Sequence, residues 1–114
     1  MFEENDAALK IFLQLIKHYP EYVCTYQCIS QIYFKQENWK EALNYIEKYI
    51  TFKPEVQPQL AYYVARIHVK MSNYQKALGL YIVFEEVCKE EHKTIMKKEI
   101  ERMKGLVEMR SGHG

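Results

Sequence analysis

The sequence predicts an all-α protein built of antiparallel helical hairpins, and three observations predict it. The segments AALKIFLQLIKHYP, EALNYIEKYITFKP and KALGLYIVFEEVCK are near-copies, and their alanines Ala8, Ala42 and Ala77 stand 34 and 35 residues apart. A period of that size belongs to stacked two-helix units, each too thin to bury its apolar face alone. Within each copy the apolar residues fall at helical spacing, as at Ala8, Ile11, Phe12, Leu15 and Ile16. Pro20 and Pro54 close the first two copies, because the residue before a proline avoids the helical region.

The first helix is expected over 5–20, with Asn5 or Asp6 capping its free amides. The second runs from about Tyr22 to Lys35, with Tyr26, Ile29, Ser30 and Tyr33 on one stripe. QENW is a polar turn. The third helix carries Ala42, Leu43, Ile46, Tyr49 and Ile50 and stops at Pro54. A fourth begins near Gln57 or Pro58, since proline is tolerated in a first turn. It carries Leu60, Ala61, Val64, Ala65 and His68. MSNY turns the chain into a fifth helix with Ala77, Leu78, Tyr81 and Phe84. Its run LGLYIVF alone reads as a buried strand, but its register with the two earlier copies makes it helix. No proline or glycine interrupts Leu80 to Lys104, so one long helix from Tyr74 onward is the alternative, but the polar stretch CKEEHK favours a break near 89–92. A sixth helix over 91–110 follows, with Ile95, Met96, Ile100, Met103 and Val107 apolar. The last four residues, 111–114, read as a flexible tail.

Composition sets further bounds. The chain has 114 residues, 16 basic and 15 acidic, for a net charge of +1, which announces neither nucleic acid nor a membrane surface. Its length allows one domain, over 1–110. Ten tyrosines suit thin layers with much surface, because tyrosine fills an interface and still presents a hydroxyl to water. The three cysteines, Cys24, Cys28 and Cys88, and the acidic start MFEEND lead us to expect a reduced, cytoplasmic protein with no membrane insertion.

With these elements in place, the chain resembles the tetratricopeptide repeat (TPR) family over roughly residues 5–89. In that family each repeat pairs a helix A with a helix B, and small residues sit where the two cross closely. Ser30 with Ala42, and Ala65 with Ala77, match those positions. Tyr26, Ile29, Tyr33 and Ile46 match the large residues of one repeat, and Val64, His68, Tyr81 and Phe84 those of the next. Trp39 and Tyr74 match the aromatic that opens helix B. Ser30 and Ala65 depart from the family's usual glycine, Ala61 from a large residue, and Lys89 from the closing proline. The resemblance implies a short right-handed α-solenoid of about six helices. Residues 5–20 would be helix B of a partial repeat, 22–54 and 57–89 two full repeats, and 91–110 a capping helix. The first helix then lacks a partner on its N-terminal side. Either the sequence is a fragment of a longer array or that open edge pairs with another chain.

The resemblance also implies that the A helices line a concave face that meets the ligand. It places Gln27, Gln31, Phe34, Lys35, Gln59, Tyr62, Tyr63, Arg66 and Lys70 in that groove, with Cys24, Cys28 and Val69 beside them. Gln27/Gln31/Lys35 and Tyr62/Arg66/Lys70 each follow an i, i+4, i+8 rail along one helix face. Such rails suit an extended peptide, with glutamine and tyrosine bonding its backbone and Lys35, Arg66 and Lys70 attracting its carboxylates. A sub-family grips the C-terminal carboxylate of chaperones through lysine, asparagine and arginine. The matching positions here are Cys24, Cys28, Gln59 and Tyr63, so no such clamp is expected.

Other constellations carry less. Cys24 and Cys28 are one turn apart, but structural zinc takes four ligands, and the pair is read as packing residues with no metal. His68 is read as a half-buried core histidine. No nucleophile–base set, phosphate loop or tuned carboxylate pair is present, so neither an enzyme nor a cofactor is expected. The stripe Met96, Ile100, Met103, Val107 is read as covering the last hairpin near Leu80 and Phe84 rather than as a partner-binding face. The expected function is protein–protein interaction, with a peptide segment or helix of a partner in the groove. The alternative is a self-associating homo-oligomeric assembly unit through the open edge of the first helix. An RNA-binding helical repeat is disfavoured by the balanced charge, so no nucleic acid is expected.

Overall fold

A computed structural model describes residues 2–111. The described residues are all-α, with α1 (Phe2–His18), α2 (Cys24–Lys35), α3 (Trp39–Phe52), α4 (Gln57–Lys70), α5 (Tyr74–Val87) and α6 (Glu90–Ser111). A single 3₁₀ turn, Pro54–Val56, precedes α4. Consecutive helices pack into two compact units that part between Pro54 and Glu55. In the first unit α2 packs on both α1 and α3, and in the second α5 packs on both α4 and α6.

The two hairpins α2–α3 and α4–α5 share one turn geometry at a 35-residue offset. Helix α2 ends with Asn38 N–H donating to Tyr33 O at 2.9 Å and Glu37 N–H donating to Phe34 O at 3.0 Å. At the end of α4, Asn73 N–H donates to His68 O at 2.8 Å and Ser72 N–H to Val69 O at 3.0 Å. This paired closure satisfies the last free carbonyls of a helix and requires a left-handed residue just past its end. Glu37 (φ 60°) and Ser72 (φ 62°) take that conformation, although neither is the glycine that usually serves it. Asn38 then caps α3, its Oδ1 accepting from Glu41 N–H at 3.4 Å. Its counterpart Asn73 makes no side-chain cap, and its amide instead meets His68 Nδ1 at 3.4 Å.

The small residues lie at the centre of each hairpin. Ser30, Ala42, Ala65 and Ala77 are all 0% exposed. A hydroxyl buried without a partner costs about 1–3 kcal/mol. Ser30 avoids that cost because its Oγ donates to Ala42 O at 2.6 Å across the crossing. Around the first crossing Tyr26, Ile29, Ile46 and Tyr49 are buried, with the Tyr26 ring 5.5 Å from Phe52 and 6.3 Å from Tyr45. In the second unit one core joins Ala65, Ala77, Tyr81, Met96, Ile100 and Met103, with Leu80 and Phe84 packed against it. Met96, Ile100 and Met103 of the α6 stripe thus enter the chain's own core, while Val107 is half-buried outside it. His68, expected to be half-buried, is buried at 7% exposed, and so is Ala61 at 1%.

Three boundaries differ from the sequence reading. Helix α1 begins at Phe2, so Asn5 and Asp6 lie inside it and are not its caps. Asp6 Oδ1 instead accepts from Gln36 Nε2 at 2.9 Å, tying α1 to the α2–α3 turn. Helix α2 begins at Cys24, after a loop in which the Tyr19 and Tyr22 rings stack at 5.5 Å. The α5–α6 break falls at Cys88 and Lys89, just ahead of the expected 89–92. Cys88 is extended there (ψ 162°). The freed Glu85 carbonyl accepts from Cys88 Sγ at 3.5 Å and from Lys93 Nζ at 3.2 Å, which ends the helix without a proline. The expected tail lies outside the described residues, apart from Ser111 at the end of α6.

Enlarging Ala77 to leucine overpacks a crossing with no free space, and we expect it to cost roughly 1–3 kcal/mol in urea unfolding. The exposed Glu37→Gly change relieves left-handed strain and stabilises by about 0.5–1 kcal/mol in the same measurement.

Candidate binding surfaces on the hairpin helices

The nine residues that the resemblance assigned to a groove divide between the two units. In the first, α2 holds Gln31 and Lys35 exposed and Gln27 half-buried on one row, as the i, i+4, i+8 spacing requires. Phe34 is committed to the turn, where its ring meets Trp39 edge-on at 5.0 Å. Cys24 is exposed and Cys28 half-buried, both as free thiols. Among the described residues no group of three or more His, Cys, Asp or Glu side chains is placed to hold a metal ion.

The second unit brings more together. Tyr62, Arg66 and Lys70 form one exposed row on α4. They line an open cleft of about 360 Å³ together with Glu99 and Arg102 of α6, with Val69 and Tyr81 completing it. The Arg66 guanidinium stands over the Tyr62 ring at 5.7 Å, an attraction of a cation to the face of an aromatic ring. Arg102 Nη2 donates to Glu99 Oε2 at 3.0 Å on the opposite wall. A second cleft of about 340 Å³ opens on the other side of Tyr62, lined by Phe84, His92, Ile95 and Met96. Tyr62 is the shared wall, its ring 5.4 Å from Phe84 and 5.9 Å from Tyr81. Gln59, exposed in the first turn of α4, and the half-buried Tyr63 line neither cleft.

The contribution of α6 is absent from the sequence reading, which took this helix only as a cover for Leu80 and Phe84. Its Met96, Ile100 and Met103 enter a core that also includes Ala65 of α4. The flanking Glu99 and Arg102 therefore come to border the α4 row. Their i, i+3 spacing beside a buried stripe was the signal available in the sequence.

Burial pushes the Tyr81 hydroxyl above its ordinary 10.0; Glu99 and Tyr62 add to the push, and Arg102 and Arg66 oppose it. In the first unit burial likewise raises Tyr33 and Tyr45, with Glu41 adding to both and Tyr33 and Tyr26 adding to Tyr45. The two rings stack at 5.8 Å, so ionising either disfavours ionising the other.

No protein-family model matches the chain, and no curated protein matches it. No described helix is long and apolar enough to cross a membrane.

These tyrosines set an alkaline limit. Their folded values lie above the unfolded 10.0, so the stability they contribute is fully present below pH 10.0. It is lost as the pH rises through the folded values. Urea midpoints measured from neutrality upward are expected to stay level to pH 10.0 and then to fall, with tyrosinate absorbance rising in step.

Proposed function

We propose that this chain is a protein-interaction module of TPR-like hairpins that docks a peptide segment or helix of a partner on the exposed face of its A-type helix α4. The observation that carries the reading is the exposed Tyr62, Arg66, Lys70 row bordering an open cleft. Burial of the large residues elsewhere on α4 supports it. Ala61, Val64, Ala65, Ile67 and His68 are buried, which leaves the Tyr62, Arg66, Lys70 row on the outward face of the helix. Tyrosine and arginine are the residue types that dominate recognition hot spots. A rigid hairpin also presents them with little entropy left to lose.

Affinity capture from cell extract with the parent chain and with Tyr62→Ala/Arg66→Glu tests the docking surface. Partners captured by the parent are expected to be lost by the variant, with helical circular dichroism unchanged. Equal capture of every partner by both proteins would remove α4 from the binding surface.

A second reading, self-association through α1, is favoured by one observation. No described side chain of α1 is buried, and Ile11 is 67% exposed. Sedimentation over a range of concentrations is expected to show a dimer that Ile11→Glu weakens. A strict monomer at all concentrations would sink this reading.

A further inference from the structure

The two clefts beside Tyr62 differ in chemistry while sharing a wall, and that difference specifies a ligand. One is apolar, bounded by Tyr62, Phe84, Ile95 and Met96, with His92 at its edge. Ile95 is 57% exposed there, whereas Met96, Ile100 and Met103 of the same helix are buried in the core. The other cleft carries Arg66, Lys70 and Arg102 against the single carboxylate of Glu99. Three cationic side chains and one carboxylate make the lining net positive in a chain of net charge +1.

We propose that the α4–α6 face of the second unit binds an acidic partner segment that seats one bulky apolar side chain beside Tyr62 and sets carboxylates against Arg66, Lys70 and Arg102. The inference rests on the peptide-docking reading and gives its ligand a chemistry. Geometry limits the spacing. Arg66 and Lys70 follow Tyr62 by four and eight helical residues, which is about 6 and 12 Å along the axis at 1.5 Å per residue. An extended chain advances about 3.3 Å per residue, so its carboxylates lie about two to four residues from the apolar anchor. The anchor supplies area removed from water. The carboxylates supply charge-assisted hydrogen bonds and orientation, since arginine offers a planar fork that matches a carboxylate. The ring under Arg66 holds that fork over the cleft rather than leaving it to sample solvent.

Selection of short random peptides against the intact chain, followed by fluorescence anisotropy with labelled synthetic peptides, tests this. Selected peptides are expected to pair Leu, Met or Phe with Asp or Glu at the spacing above. Replacing their acids by amides, or the anchor by alanine, is expected to weaken binding by about tenfold. Arg66→Glu/Lys70→Glu and Ile95→Ser should each weaken the parent peptide, whereas Lys40→Glu, on α3 of the other unit, should not. Selected peptides free of acidic residues that still lose binding on Tyr62→Ala leave the docking reading standing and overturn this one. Failure to select any peptide overturns both. A labelled poly-dT oligonucleotide that binds as tightly as the acidic peptide would also overturn the proposal, showing a general polyanion surface in its place.

Discussion

Each hairpin depends on the close crossing of its two helices at a pair of small residues. Ser30 with Ala42, and Ala65 with Ala77, are fully buried, and the large side chains can mesh around them only because nothing bulky stands between the backbones. The serine shows how narrow the choice is. Alanine there would leave no polar group to satisfy, and glycine would cost the helix about 1 kcal/mol. Serine is admitted because Ala42 O lies 2.6 Å from its hydroxyl. Among the described residues no buried side-chain nitrogen or oxygen lacks a partner, so the crossings carry no hidden desolvation penalty.

From those crossings the rest of each unit follows. Fixing the two helices of a hairpin against each other fixes which residues of α4 turn inward and leaves Tyr62, Arg66 and Lys70 outside. The turn that reverses the chain must then close within three residues, and both turns do so through a left-handed residue. At φ near 60° a side chain larger than glycine carries strain of about 1–2 kcal/mol. That strain is offset by two carbonyl closures per turn and by the aromatic contact of Phe34 with Trp39 in the first unit. In the second unit Arg110 of α6 donates to Ser72 O and stacks over the Tyr74 ring at 5.3 Å, fastening the same turn from outside.

What was legible in the sequence is what repeats. The alanine spacing gave the hairpins, the prolines gave the ends of α1 and α3, and the apolar stripes gave the inner faces. The turn closures were hidden because Glu37 and Ser72 do not announce positive φ as glycine would. The start of α1 was misread for a related reason. Asn5 and Asp6 favour caps only when a helix begins at them, and Asp6 finds its partner in Gln36 instead. The candidate site was half legible. The rails on α2 and α4 are periodic and visible, but the opposite wall of the α4 cleft comes from a helix outside the repeat register. Its place was settled by long-range packing of Met96, Ile100 and Met103, which no local pattern encodes.

The side chains of the end helix α6 therefore fall into two sets, those of the core and those of the cleft. Met103 is fully buried and belongs to stability alone. Truncating such a side chain to alanine removes about 2–5 kcal/mol from a core, a large share of what holds a domain of this size together. Glu99 and Arg102 lie beside the buried stripe, and their exposed pairing is worth at most about 1 kcal/mol. They are thus free to change the charge of the cleft without unfolding the unit. Met96 is the exception, being both 3% exposed in the core and a wall of the apolar cleft. A thioether at that position suits the double duty, since methionine is unbranched and adapts its shape to what lies against it. The charge of this face can be changed through the charged wall of α6, while its apolar wall is held by the same packing that closes the core.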